Sequence, residues 1–171
     1  CVALYIAVVT SAVSQWTPRE RHRDTPTIHS SAPPDVPGAR PRLAIALATA
    51  VMSVEQVPDI PMFRQNTAAF VHDLPSDALA NVDGDHRYVR VQVLTNQGAL
   101  DRDQQLEVVR LLTDIVADAA GDPGLAQRTW VLLTEAVAGG WGLLGHANTN
   151  DELVTAARAQ IAELSAARPA D

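Results

Sequence analysis

Cysteine, charge and long apolar runs are all scarce in this sequence, and each scarcity excludes something. The single cysteine, Cys1, has no partner for an intramolecular disulfide and cannot build a cysteine-based metal site, so nothing indicates an oxidising compartment. Only 19% of the residues are charged, with a net charge of −7 and an isoelectric point near 5.1. There is no Lys/Arg run interleaved with aromatic residues in the second half, which argues against nucleic acid as a partner. No uninterrupted apolar span reaches the roughly 20 residues of a membrane helix, so no membrane partner is expected either. What is present is a chain of 171 residues, 47% apolar, long enough for one domain with a sizeable core. The expected location is cytoplasmic.

Along the chain, Val2 to Val13 is rich in β-branched residues and reads as a strand. No Lys or Arg precedes it and WTPRERHRD is a poor cleavage region, which disfavours a signal peptide. Residues 14–41 hold six prolines and the basic cluster Arg19, Arg21, His22 and Arg23, so they read as a loop insertion with a solvated charged face. From Arg42, Leu43, Leu47, Ala50, Val51 and Val54 recur at helical spacing until Pro58. Thr67 to Leu74 and Tyr88 to Leu94 read as strands, the second alternating cleanly with Val89, Val91 and Val93 on one face. Asp101 is placed to cap a helix with the stripe Leu106, Val109, Leu112, Ile115, Val116 and Ala119, ended by Gly121, Asp122 and Pro123. A strand over Thr129 to Glu135 leads into AGGWGLLGHANTN. Thr149 to Glu152 then forms a capping box for a last helix with Leu153, Ala157, Ile161 and Leu164 inward.

The two halves superimpose in sequence. Leu47 to Met52 parallels Leu111 to Val116 at an offset of 64 positions, and Gln65, Thr67 and Asp73 parallel Gln127, Thr129 and Glu135 at 62. The prediction is an α+β fold in which tandem β-α-β units form a mixed sheet covered by helices, within a single domain over residues 1–171. The first unit spans 1–81 with the Pro-rich insertion at 14–41, the second 86–148, and a C-terminal helix 149–168.

The stretch from Val89 to Asn150 carries a family resemblance. Its strand VRVQVL, its helix opened by an acidic residue and glutamines, its strand ending in Thr-Glu and its GGWG hairpin resemble the tautomerase superfamily, the group that includes 4-oxalocrotonate tautomerase and the cis-3-chloroacrylic acid dehalogenases. The first unit matches through RLAIALATAVMSVEQVPDIPMFRQNTAAFVHDLP. The resemblance implies a tautomerase/MIF-like fold and a cofactor-independent isomerase acting on small 2-oxo or enol carboxylic acids, with an N-terminal amine as general base. It also implies a homotrimer, because a two-unit chain resembles a dimer of the short single-unit chains, which form trimers of dimers. The alternative function is that of a catalytically degenerate member, or a truncated product, acting as an oligomeric or ligand-binding protein.

Where the family has an N-terminal proline, this sequence has Cys1. Its primary α-amine, with an ordinary pKa of about 7.7 to 8.0, can act as base once desolvated. The family's carboxylate-binding arginines follow the first strand of the second unit, whereas Leu94 to Leu100 contains none, which leaves Arg90 and Arg128 as candidates. Trp141 and His146, in the hairpin, and His29, in TIHSS, complete the substrate-binding candidates. The alternative reading of Trp141 is an interface anchor between subunits. Histidines and carboxylates show no metal-ligand spacing, so no metal and no cofactor are expected.

Overall fold

The computed structural model describes residues 4–10, 38–75 and 77–167, with the backbone alone described for the first strand. In chain order the elements are β1 (Leu4–Thr10), α1 (Ala39–Glu55), α2 (Pro61–Asn66), β2 (Thr67–Asp73), β3 (Val89–Asn96) and α3 (Arg102–Ala120). After a 3-10 turn over Pro123–Arg128 come β4 (Thr129–Ala136), β5 (Trp141–Leu143), β6 (His146–Asn148) and α4 (Asn150–Ala166).

Four strands form one mixed sheet in the order β2-β1-β3-β4, and β5 and β6 form a separate two-stranded hairpin. β1 runs parallel to β2 through α1, β3 runs parallel to β4 through α3, and the units meet where β1 lies antiparallel to β3. The duplicated β-α-β pattern of the sequence is therefore also the pattern of the fold, and each parallel pair has the helical crossover that parallel strands require.

Alternation along β3 builds the core. Val89, Val91 and Val93 are fully buried and face Leu43, Leu47 and Val51 of α1 and Val108, Leu112 and Val116 of α3. Burying each such side chain contributes about 1.5 to 3 kcal/mol. Among the described residues no helix covers the other face of the sheet, where Phe70, Trp130 and Leu132 are 46%, 41% and 45% exposed.

Several boundaries differ from the sequence reading. α1 begins at Ala39, after Gly38 turns through a left-handed conformation (φ 83°), so residues 39–41 belong to the helix and not to the insertion. Pro41 is tolerated because first-turn N–H groups have no helical acceptor. The remainder of that segment, 14–37, lies outside the described residues. α2 was not anticipated; Pro61 starts it and Phe63 anchors it.

Asp101 caps α3 as expected, and the cap is a full capping box, with Asp101 accepting from the Gln104 backbone and the Gln104 side chain accepting in return. Its buried row, however, is Val108, Leu112 and Val116, while Leu106 and Val109 are 53% and 37% exposed. Contact with α1 and the sheet selects one i, i+4 row from a wider apolar stripe. In α4, Leu153 and Ala157 face inward against Ile60 and Phe63, but Ile161 and Leu164 lie beyond that contact and stay exposed.

Candidate functional site at one end of the sheet

Strand register sorts the candidate residues to two ends of the sheet. Leu4 pairs with Thr67 and Tyr5 with Leu94, so β1 begins where β2 begins and where β3 and β4 end. Hydrogen bonds gather the surrounding loops at this end. Gln104 Nε2 donates to the Val54 carbonyl at 2.7 Å, joining the start of α3 to the last turn of α1. Gly98 N–H donates to Glu135 Oε1 at 3.1 Å, Gln97 N–H to the Ala136 carbonyl at 3.0 Å, and Asn150 Nδ2 to the Gln97 carbonyl at 2.9 Å. Thr95 and Asn96 finish β3 as buried polar residues, and among the described residues no buried side-chain polar atom lacks a partner. Between α1 and the start of β2 a cavity of about 380 Å3 is lined by Ala48, Met52, Ser53, Val57, Arg64 and Thr67, among others. Arg64 at its rim is held by Asp59 at 2.8 Å.

Glu55, the last residue of α1, is the one carboxyl among the described residues whose pKa is pushed strongly upward: burial raises it from 4.5 to about 7. A carboxylate at a helix C-terminus also meets the negative end of the helix dipole. Among the described residues it makes no ion pair or hydrogen bond. Sequence reasoning passed over it, although an acidic residue in the final turn of α1, where a cation is the usual choice, was the available signal.

Trp141 lies in β5, just beyond the end of β4, and packs half-buried against the cluster of Ile60, Phe63, Leu153 and Ala157, to which Met52 and Val57 also add. It belongs to this end of the fold. His146 is exposed on β6, 3.1 Å from Glu152. The Thr149 backbone N–H, with His146 beside it, holds the Glu152 carboxyl down at about 2.

Arg90 and Arg128 sit at the other end of the sheet. Arg90 pairs with Val9 and Trp130, four residues or about 13 Å along β3 from Leu94. Arg128 is committed locally, donating to the Arg87 carbonyl and to Asp122 Oδ2, both at 2.6 Å. Within one chain these two arginines are not brought together with Trp141. Cys1 and His29 lie outside the described residues. No group of three or more His, Cys, Asp or Glu side chains able to hold a metal ion occurs among the described residues, and no helix among them is long and apolar enough to cross a membrane.

No family profile matches the chain, and no curated protein matches it in sequence. Solved structures do match. N1, a member of the cis-3-chloroacrylic acid dehalogenase family, superimposes with a TM-score of 0.61 at 18% identity, covering 94% of this chain and 98% of its own. A fused 4-OT, solved as a wild-type asymmetric trimer, gives 0.59 at 14% identity over 87% of this chain and 98% of its own. Pt0534, solved after inactivation by 2-oxo-3-pentynoate, gives 0.60 at 12% identity over 88% and 98%. The chain thus shares the fold of those structures, covering nearly the whole length of each.

Proposed function

We propose that this chain is a cofactor-independent, tautomerase-like isomerase of small 2-oxo or enol carboxylic acids that works as a homotrimer and uses the amine of residue 1 as its base. The observation that carries this reading is the cavity beside Met52 and Thr67 at the end of the sheet where β1 begins, lined by α1, whose last residue Glu55 has its carboxyl raised by burial. A carboxyl raised to about 7 by burial suits proton transfer between an enol oxygen and carbon. The substrate class is supported by the inactivation of a protein of the same fold by 2-oxo-3-pentynoate, itself a 2-oxo acid.

A trimer accounts for the uncovered face of the sheet. Among the described residues, Phe70, Trp130 and Leu132 form an apolar surface with no helix over it, and β2 and β4 are the sheet's edges, of the kind that subunit association closes. A protein of the same fold is a trimer.

One observation favours the second reading, a member without catalysis: the arginine candidates lie at the far end of the sheet, and Arg64, at the cavity, is held by Asp59. A single experiment separates the two. All 13 Lys and Arg residues of this sequence are arginine, so the α-amine is the chain's lone primary amine. Phenylenolpyruvate should ketonise faster with the protein than in buffer, and borohydride with pyruvate should label residue 1 and nothing else. Ketonisation at the buffer rate by both the native chain and Cys1→Pro refutes the isomerase reading.

A further inference from the structure

α1 buries one side in the core through Leu43, Leu47 and Val51 and turns another stripe, Ile45, Thr49, Met52 and Ser53, to the cavity. The apolar part of this stripe is open to a ligand, with Ile45 66% exposed. Its hydroxyls are uncommitted. The hydroxyl residues of the other helices, Thr113, Thr155 and Ser165, each donate to the carbonyl four residues back, at 2.7, 2.8 and 2.8 Å. Thr49 and Ser53 do not, and neither their hydroxyls nor that of Thr67, at the start of β2, bond to any described residue. Among the described residues lining the cavity only Arg64 and Asp59 are charged. One nitrogen makes their bond: Arg64 Nη1 donates to Asp59 Oδ1 at 2.8 Å, while Nε and Nη2, which together can fork onto a carboxylate, bond to no described residue. Both side chains are largely exposed, at 66% and 75%, so the pair is weak and a ligand carboxylate can compete for the guanidinium.

An apolar wall, free hydroxyls, one cation with an open edge and one fixed anion beside it define what fits. We propose that the cavity binds an acid with a single carboxylate and an apolar tail, that Arg64 holds the carboxylate, and that Asp59 sets the specificity by turning away dicarboxylates. This rests on the reading above for its identification of the substrate cavity, but the binding stands whether or not the chain catalyses. A monocarboxylate pairs its charge with Arg64, leaves the hydroxyls of Thr49, Ser53 and Thr67 for a 2-oxo or enol oxygen, and covers Ile45, Met52 and Val57 with its tail. A second carboxylate finds no second cation among the described lining residues and is repelled by Asp59, so the same pair that favours one ligand works against the other.

The test measures binding to the full chain by titration calorimetry at one ionic strength, with 5-methyl-2-oxohexanoate and 2-oxopentanedioate, which differ only in carrying an isopropyl group or a carboxylate at the far end. The native chain should bind the monocarboxylate tighter by about tenfold. Arg64→Gln should weaken that binding by about 10- to 100-fold, as loss of a charged hydrogen-bonding partner does. Asp59→Asn should narrow the preference between the two acids by about 3- to 10-fold, and added salt should shrink this effect. Both positions are exposed, and circular dichroism checks that each variant is folded. The proposal is overturned by a native chain that binds no monocarboxylate at millimolar concentration, by an Arg64→Gln chain that binds it within about threefold of native, or by an unchanged preference in Asp59→Asn. Phenylenolpyruvate ketonisation separates the two claims. Buffer-rate ketonisation by native and Cys1→Pro chains with the binding pattern intact removes the isomerase reading and leaves the site standing, whereas catalysis with a KM indifferent to Arg64→Gln overturns the site and leaves that reading standing.

Discussion

Replacing Glu55 by Gln should stabilise the protein, and only above pH 4.5. In the fold, burial raises the carboxyl from 4.5 to about 7. Below 4.5 it is neutral in both folded and unfolded chains and contributes no difference. Between 4.5 and 7 the unfolded chain is ionised while the fold keeps the proton, so stability falls as pH rises; above 7 both are ionised and the penalty is constant. At about 1.4 kcal/mol per pH unit, the interval from 4.5 to about 7 amounts to a penalty on the order of 3 kcal/mol at pH 8. Gln is close in shape and uncharged, so it should recover most of this, equivalent to a rise in Tm of roughly 5 to 10 °C for a chain of this size. The assay is thermal and urea unfolding of native and Glu55→Gln protein at pH 4, 6 and 8, at one protein concentration because association shifts apparent stability. A gain that is the same at all three pH values, or absent at pH 8, refutes the account of Glu55 as a desolvated carboxyl.

Cys1→Pro should raise ketonisation of phenylenolpyruvate, because a ring-fixed secondary amine is better oriented and less easily diverted into imine; initial rates of correctly processed protein check this. Trp141→Ala should lower kcat/KM and also cost about 1 to 3 kcal/mol in urea unfolding, since the indole packs half-buried on Ile60, Phe63, Leu153 and Ala157. Leu132→Arg should convert the proposed trimer to smaller species in sedimentation, because it puts charge on the exposed apolar face at edge strand β4; a native chain that sediments as a monomer at micromolar concentration refutes the trimer itself. Thr149→Ala should cost about 1 kcal/mol, seen as earlier urea unfolding, through loss of the hydroxyl that accepts from the Glu152 N–H.

Local chemistry written over a few residues was enough to announce much of the fold. The cap at Asp101, the capping box at Thr149 and the alternation of Val89, Val91 and Val93 each depend on neighbours along the chain, and the structure carries all three. Tertiary contact alone chose which part of an apolar stripe is buried. It selected Val108 over Leu106 and Val109, and left Ile161 and Leu164 uncovered once α4 passed beyond Ile60 and Phe63. The candidate site was less legible still. Arg90, Arg128 and Trp141 are all substrate-binding candidates in the sequence, but β3 and β4 run away from both arginines toward the hairpin, so strand register puts Trp141 at one end of the sheet and the arginines at the other. Glu55 carries no motif that marks it. Its altered pKa arises from burial, a property of the packed chain around it, and burial cannot be read from spacing along the sequence.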